Sequence, residues 1–331
     1  MSTPAGLADL VQAQQGCLSR LQARARGVTD AGIAERLRAL EWRSVHNGVL
    51  CQPSPDADAT RLRAALLTQC PDGRWQEGVA LSHATAAAIH GFEGLSPDPR
   101  VHLVVPRIWT PQHRRTGVRL HRCLTPAEHI RAAEGFPVTT AAWTALTLIR
   151  LGARRQAVVV ADSALRSGAC TLADLRAGLP LLARLRGCVQ AREVVDLARA
   201  GTDSPQESVT RMIILEGGFP HPDVDMRLYD EFGTLLARGE LGYRRLLIWL
   251  EYDGYDAHTR RPAFRLDRSR QNWLADRGWY ILRYVDQDLW QGERRIQYDV
   301  RRAIERAPVR IAALPAGLSP EADEARRALH S

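Results

Sequence analysis

The feature that most constrains the fold is the order of elements predicted over residues 203–306. Asp203 or Ser204 is the predicted N-cap of a helix that runs to about Glu216. Three β-prone runs follow, then a helix over about 263–277, a fourth strand, and a closing helix over 293–306. The predicted strands are Val224–Tyr229, Leu235–Tyr243, Leu246–Asp253 and Trp279–Tyr284. This α-β-β-β-α-β order predicts a small α/β domain.

The turn between the second and third strands decides which side chains share a face of the sheet. A two-residue turn at Arg244-Arg245 pairs Tyr243 with Leu246 and sets Glu240 opposite Trp249. Opposed residues share a face, and side chains alternate along each strand. Glu240 is therefore predicted to project to the same side as residues 251 and 253, whereas a three-residue turn would reverse that parity.

Glu240, Glu251 and Asp253 are thus predicted to form one carboxylate site. Carboxylates in close proximity raise one another's pKa unless a cation or a proton sits among them. Hard oxygen ligands favour Mg²⁺ or Mn²⁺, which makes these three residues the predicted metal ligands. Such a site suits phosphodiester hydrolysis, because a divalent ion can activate a water and neutralise charge on the phosphate.

Two stretches, LARGELGYRRLLIWLEYDGYDAH and FRLDRSRQNWLADRGWYILRYVDQDL, resemble the very-short-patch-repair-like endonuclease domains. The resemblance implies a restriction-endonuclease-like fold over residues 203–310. It also implies a helix Glu, an acidic residue on the second strand, a Glu-x-Asp-Gly on the third, a following His and arginines near the next helix. In this chain the pattern falls on Glu207, Glu240, Glu251, Asp253, Gly254, His258, Arg268 and Arg270.

The chain departs from that pattern at two points. Glu240 stands where the family has Asp, and Gly239 precedes it where a β-branched residue is usual. Asp253 stands where restriction-type nucleases place a lysine, but all 45 basic residues of this chain are arginines. Asp253 is therefore predicted to be a third ligand or the group that orients the attacking water.

Four other residues of the pattern keep alternative interpretations. Glu207 adds a fourth carboxylate or makes an i, i+4 ion pair with Arg211. His258 acts as a general acid or base or positions a phosphate, or it is a surface histidine of a loop. Arg268 and Arg270 contact DNA phosphates, or they belong to a solvated helix face.

Residues 1–53 predict a winged helix. Helices are expected over 7–15, 18–26 and 30–40, the last capped at Thr29-Asp30, before a β-hairpin over 42–50 that turns at Asn47-Gly48. The third helix carries Arg36 and Arg38, which would suit a phosphate backbone. The alternative is a helical packing module with a solvated basic face.

The segment AERLRALEWRSVHNGVL resembles the N-terminal winged helix of the abortive-infection AbiEi antitoxins, which implies DNA binding and autoregulation. LSHATAAAIHGF and FPVTTAAWTAL resemble the connector that follows this module in other chains. Residues 54–202 are accordingly predicted to be an α+β connector domain with strands over 101–105 and 117–122. His83 and His90 share a helical face there but lack a nearby carboxylate or cysteine of a metal site.

Composition fits a nucleic-acid partner, since the net charge is +8 and the isoelectric point about 9.6. Six widely spaced cysteines without a CxxC pair predict reduced thiols. No basic-then-apolar leader and no long apolar run occurs, which predicts a cytoplasmic protein without a membrane span. Residues 311–331 are predicted to be a flexible tail.

The function predicted from these features is a Mg²⁺- or Mn²⁺-dependent DNA endonuclease or nickase. The alternative is a catalytically inactive DNA-binding regulator, or antitoxin-like protein, which Glu240 and the missing lysine favour. The predicted partners are DNA and a toxin or repair protein.

Overall fold

The computed structural model is a mixed α/β protein and describes residues 6–108, 116–230, 232–253 and 270–330. It divides into two compact units, Met1–Arg150 with Ala169–Leu185 and Leu151–Gly168 with Arg186–Ser331. The helices are α1 Leu7–Ala13, α2 Arg20–Ala25, α3 Asp30–Arg38, α4 Ala57–Leu67, α5 His83–Ile89, α6 Ala141–Ile149, α7 Arg154–Arg166, α8 Leu172–Gly178, α9 Cys188–Leu197, α10 Pro205–Glu216, α11 over residues 270–276, α12 Asp286–Gln291, α13 Glu293–Ala312 and α14 Pro320–Ala328. The strands are β1 Cys17–Ser19, β2 Arg43–His46, β3 Val49–Cys51, β4 Ala80–Leu81, β5 Val101–Val105, β6 Val118–Arg122, β7 Ile130–Ala133, β8 Phe136–Thr139, β9 Asp223–Tyr229, β10 Leu235–Tyr243, β11 Ile248–Tyr252 and β12 Tyr280–Tyr284. None of the helices within these described ranges combines the length and apolar character needed to cross a membrane.

The N-terminal part of the first unit contains the predicted helices and hairpin in the order α1-β1-α2-α3-β2-β3. Its sheet is antiparallel with strand order β1-β3-β2. Thr29 caps α3, since its hydroxyl accepts the Gly32 amide at 3.1 Å. Gly48 has φ +81°, which an Asn-Gly turn requires. The core between helices and sheet includes Leu18, Ile33, Trp42 and Leu50.

The prediction that all cysteines are reduced is wrong for one pair. Cys17 and Cys51 lie directly opposite each other on β1 and β3 and form a disulfide. Their separation of 34 residues gives no sign of this, because the pairing depends on which strands become neighbours. The other four cysteines carry thiols, as predicted.

The first unit also holds a five-stranded sheet of order β6-β5-β4-β8-β7. β5 occupies the predicted residues, and α5 follows the short strand β4 and includes His83, one of the two histidines of the predicted helical face. β5 runs parallel to β6 and antiparallel to β4. One face of this sheet packs on α4 through a core that includes Leu66, Leu81, Leu103 and Phe136.

The second unit contains the predicted α-β-β-β-α-β order. Its sheet has strand order β12-β11-β10-β9, with β9, β10 and β11 antiparallel and β12 parallel to β11. One face packs against α10, α12 and α13 through Ile213, Leu250, Leu289 and Val300. The other face packs against α11, α14 and the end of α13 through Trp249, Leu274, Ile311 and Ala325.

The compact units do not divide the chain at the predicted boundary between residues 202 and 203, since α7 and α9 belong to the second unit. A buried ion pair joins these helices to α10: Arg211 Nη2 lies 2.5 Å from Asp162 Oδ2, and both side chains are almost fully buried. Arg211 Nη1 also donates to the Leu197 carbonyl oxygen at 2.8 Å. Removing either charge would leave the other buried and unpaired, which is strongly destabilising.

Residues 311–331 are not a flexible tail where the structure describes them. Pro320 opens α14, and the hydroxyl of Ser319 caps it at the Ala322 amide. Ala322 and Ala325 are buried in the core of the second unit. The small apolar side chains of this helix gave no strong sequence signal, yet they let it pack closely.

Candidate functional site

The turn before β11 is longer than predicted. Arg244–Leu246 forms a 3-10 turn, and Leu247 follows in the left-handed region with φ +50°. The pairs are therefore Tyr243 with Ile248 and Gly242 with Trp249, so the prediction that Glu240 faces Trp249 is wrong. The register differs from the prediction by two residues, and the paired residues of β10 begin at Leu241, one residue after Glu240.

Glu251 is the most enclosed carboxylate of this sheet, with an exposure of 6%. The indole Nε1 of Trp249 donates to its Oε1 at 2.8 Å. Arg270 of α11 lies 2.9 Å from the same oxygen, and Arg283 of β12 lies 2.8 Å from Oε2. Oε1 of Glu251 thus contacts the Trp249 indole and Arg270, whereas Oε2 lies at ion-pair distance from Arg283 and accepts no hydrogen bond among the described residues.

Asp253 directly follows β11. Its side chain lies 3.4 Å from Arg283 Nη1. Its backbone amide donates to the Tyr284 carbonyl oxygen at 2.8 Å, which continues the parallel ladder one residue beyond the strand. Because Arg283 stands directly opposite Glu251 in that ladder, it contacts both carboxylates.

Glu240 reaches the same region from β10. Its Oε2 accepts the Tyr252 backbone amide at 2.7 Å. Burial raises the pKa of Glu240 to about 8, and the charges of Glu207, Glu251 and Asp253 contribute to that rise. Glu240 is therefore largely protonated at neutral pH, and the four carboxylates named here are called the carboxylate cluster below.

Glu207 lies in the first turn of α10 with an exposure of 3%. Its backbone amide donates to the Ser204 hydroxyl, and its carboxylate accepts the Asp203 amide at 2.8 Å. Burial raises the pKa of Glu207. The alternative ion pair with Arg211 is not what the structure contains, since that guanidinium binds Asp162.

The glycine that departs from the family pattern has a structural reason. A Cβ on Gly239 would lie 2.5 Å from the Trp249 indole, closer than real side chains approach. Trp249 also packs edge-on against Trp279, with ring centroids 5.3 Å apart. Gly239 therefore leaves room for the indole that holds Glu251.

Of the other residues predicted for this site, the structure describes only Arg270. Arg270 was expected at DNA phosphates, but its guanidinium lies against Glu251. His258, Arg268 and Gly254 lie outside the described residues.

The donor set does not fit a divalent cation as it stands. Carboxylates are suitable ligands in type, but both oxygens of Glu251 face arginines and Asp253 shares one of them. Oε2 of Glu240 already accepts the Tyr252 backbone amide. Within residues 6–108, 116–230, 232–253 and 270–330, no group of three His, Cys, Asp or Glu side chains is spaced to hold a metal ion.

The two predicted arginines of α3 have different surroundings. Arg36 stacks over Trp42, with its guanidinium carbon 5.3 Å from the ring centroid, and its side chain is only 13% exposed. It also lies 3.8 Å from Glu41, so it stabilises the domain rather than facing phosphate. Arg38 is exposed on α3, and Arg43 is exposed on β2.

Sequence reasoning missed a second group of titratable residues, here called the histidine cluster: His83, His102 and His121. The rings of His83 and His121 stack with centroids 3.5 Å apart. His121 Nε2 lies 3.2 Å from His102 Nδ1, and His102 Nε2 lies 2.9 Å from an Asp98 oxygen. His90, which was paired with His83 on helical spacing, binds the Thr139 carbonyl oxygen instead.

Burial keeps the histidine cluster neutral. It lowers the pKa of His83 to about 2 and that of His121 to about 3, and it also lowers the pKa of His102. Neighbouring arginines, Arg119 and Arg150 among them, add to the effect on His83. The sequence shows one histidine in each of β5 and β6, but only the pairing of these strands reveals that the two side chains meet.

Comparison with known proteins gives one family match. Residues 78–197 match the AbiEi antitoxin C-terminal domain. Two uncharacterized proteins of Mycobacterium tuberculosis, MT2308 of strain CDC 1551 / Oshkosh and Rv2248 of strain ATCC 25618 / H37Rv, are each 27% identical over 229 residues, which is 67% of this chain and 80% of theirs. The crystal structure of the RV2827C protein from Mycobacterium tuberculosis aligns with a TM-score of 0.42 and 14% identity, over 69% of this chain and 88% of that one.

Proposed function

We propose that the protein is a DNA-binding, antitoxin-like regulator whose restriction-endonuclease-like C-terminal domain does not cleave DNA. The observation that carries this proposal is the match of residues 78–197 to the AbiEi antitoxin C-terminal domain. The α1-β1-α2-α3-β2-β3 domain that precedes it has the parts of a winged helix. The net charge of +8 gives the chain the electrostatic sign that DNA attracts.

The proposed DNA contacts are the exposed arginines of α3 and of the wing. Arg38 and Arg43 are both exposed. Arg24 is exposed as well, but Asp30 binds it at 2.8 Å and offsets its charge. We therefore assign phosphate binding to Arg38 and Arg43, and a packing role to Arg36.

The partner implied by the family match is a toxin. An antitoxin-like regulator would bind DNA near its own gene and a cognate toxin. Co-purification of the protein encoded beside this gene would test the second half of that statement.

The proposal is tested by fluorescence anisotropy with DNA from upstream of the gene, at several salt concentrations. Replacing Arg38 and Arg43 together by Gln is expected to weaken binding by roughly 10-fold or more. It should also reduce the slope of log affinity against log salt by about 2, since each phosphate contact contributes about 0.9.

Arg131→Gln is the matched control, because Arg131 is exposed on β7 of the same unit. It should leave affinity and slope nearly unchanged. Equal affinities for wild type and the double variant, at every salt concentration, would remove the winged helix from the proposal.

The Mg²⁺- or Mn²⁺-dependent endonuclease stays a prediction. Its support is the carboxylate cluster, where four acidic groups lie close enough for three of them to raise the pKa of Glu240. A metal ion there would have to displace the arginines that now bind Glu251.

A further inference from the structure

We infer that the guanidinium groups of Arg270 and Arg283 take the place of a divalent cation at the carboxylate cluster. Glu251 and Asp253 are then members of an internal ion-pair network rather than metal ligands. This inference does not depend on DNA binding by the N-terminal domain.

The charge balance supports this inference. Glu251 and Asp253 carry two negative charges when ionised, and Arg270 and Arg283 supply two positive ones, as one Mg²⁺ would. A guanidinium is a permanent cation with several N–H donors, so it can neutralise and bind carboxylates without a metal ion.

The geometry supports it as well. Arg283 bridges two carboxylates as a shared metal would, with Nη2 at 2.8 Å from Glu251 and Nη1 at 3.4 Å from Asp253. Arg270 approaches Glu251 at its other oxygen, 2.9 Å away. The two arginines come from different elements, α11 and β12, and each lies within ion-pair distance of one oxygen of a side chain that is 6% exposed, although Oε2 accepts no hydrogen bond within the described part of the chain.

A metal ion would have to remove these contacts before binding. Mg²⁺ requires near-octahedral oxygen ligands at about 2.0–2.1 Å and keeps several waters. The Trp249 indole also donates to Glu251, which further limits the lone pairs that an ion could use. Breaking buried ion pairs to admit a hydrated cation is unfavourable.

The test is thermal unfolding of the full chain with millimolar MgCl₂ or MnCl₂, against NaCl of equal ionic strength. The wild-type melting temperature is expected to be insensitive to the metal. The Arg270→Gln, Arg283→Gln double variant is expected to melt several degrees lower in EDTA, and to regain roughly 5 °C with Mn²⁺ because its carboxylates are exposed to the ion.

Arg295→Gln is the matched control, since Arg295 also binds two carboxylates, Asp288 and Asp299, on an exposed part of the same unit. It should gain no metal response. If the double variant does not fold, Arg270→Gln alone serves, because that side chain is 35% exposed and Arg283 remains; a smaller metal response is then expected.

Two results would overturn the inference. One is a metal-dependent rise in the wild-type melting temperature that Glu251→Gln abolishes. The other is a folded arginine variant whose melting temperature ignores Mg²⁺ and Mn²⁺ as the wild type does.

Discussion

The histidine cluster of the first unit and the carboxylate cluster of the second bring like-charged groups together and avoid repulsion in opposite ways. The histidines lose their charge: burial lowers the pKa of His83 to about 2 and of His121 to about 3. The carboxylates are balanced, since arginines bind Glu251 and Asp253, and Glu240 has a pKa of about 8. The same chain therefore keeps one cluster uncharged and balances the charges of the other with arginines.

Because the two clusters avoid repulsion in different ways, the stabilities of the two units should depend differently on pH. Acid destabilises the buried histidine cluster because its rings would have to be protonated. Alkaline pH destabilises a buried carboxyl with a raised pKa because that group would have to be ionised. The two units are thus expected to weaken at opposite ends of the pH scale.

The largest effect is expected for Glu240→Gln. The folded-state pKa of Glu240 is raised to about 8 from an ordinary 4.5. Glu240 therefore does not lower the free energy of unfolding below pH 4.5, but it lowers it progressively as the pH rises to 8. Glutamine keeps an oxygen for the Tyr252 amide but carries no charge. At pH 8.5 the variant should be more stable than wild type by about 3 kcal/mol, after allowing for solvent screening, and nearly equal at pH 5.

Urea unfolding from pH 5 to 8.5 measures this difference. Glu305→Gln, at an exposed residue of α13, should show no such trend. If the free energies of unfolding of Glu240→Gln and wild type changed with pH in parallel, Glu240 would be ionised without loss of stability. The expected pH dependence of the carboxylate cluster would then be wrong.

A smaller effect of opposite sign is expected for His121→Gln. The pKa of His121 is lowered from 6.5 to about 3. The stability that comes from keeping this histidine neutral is therefore fully present above pH 6.5, and it is lost as the pH falls toward 3. Between pH 7.5 and 5 the variant should lose about 2 kcal/mol less stability than wild type, because glutamine takes up no proton.

Urea unfolding of both proteins at pH 7.5 and pH 5 measures that loss, with His330→Gln as an exposed control. An equal loss in the variant and in wild type would show that the histidine cluster is not what limits acid stability.

The sequence was sufficient for local features. It predicted β5 and β10 at their observed residues, the Thr29 cap and the Asn-Gly turn of the wing. Each depends on neighbours a few residues apart, where periodicity and turn chemistry act directly. The shared face of the three predicted carboxylates stays a prediction, because the turn before β11 is longer than expected.

Long-range features could not be predicted. The Cys17–Cys51 disulfide, the Asp162–Arg211 pair and the contact of Arg283 with Glu251 all depend on which elements become neighbours. Arg283 was visible as a charge inside an apolar strand, but only the parallel pairing of β11 and β12 sets it opposite Glu251. The same limitation hid the histidine cluster, whose members come from α5, β5 and β6.

The most direct test of the central claim, a protein that binds DNA without cutting it, is one assay with supercoiled DNA in Mg²⁺ or Mn²⁺. Bound and nicked fractions are measured together for wild type and for Glu251→Gln. We expect salt-sensitive binding by both proteins, with no nicking by wild type above that of the variant. Nicking or linearisation that requires the metal and disappears in Glu251→Gln would contradict it and establish a nuclease.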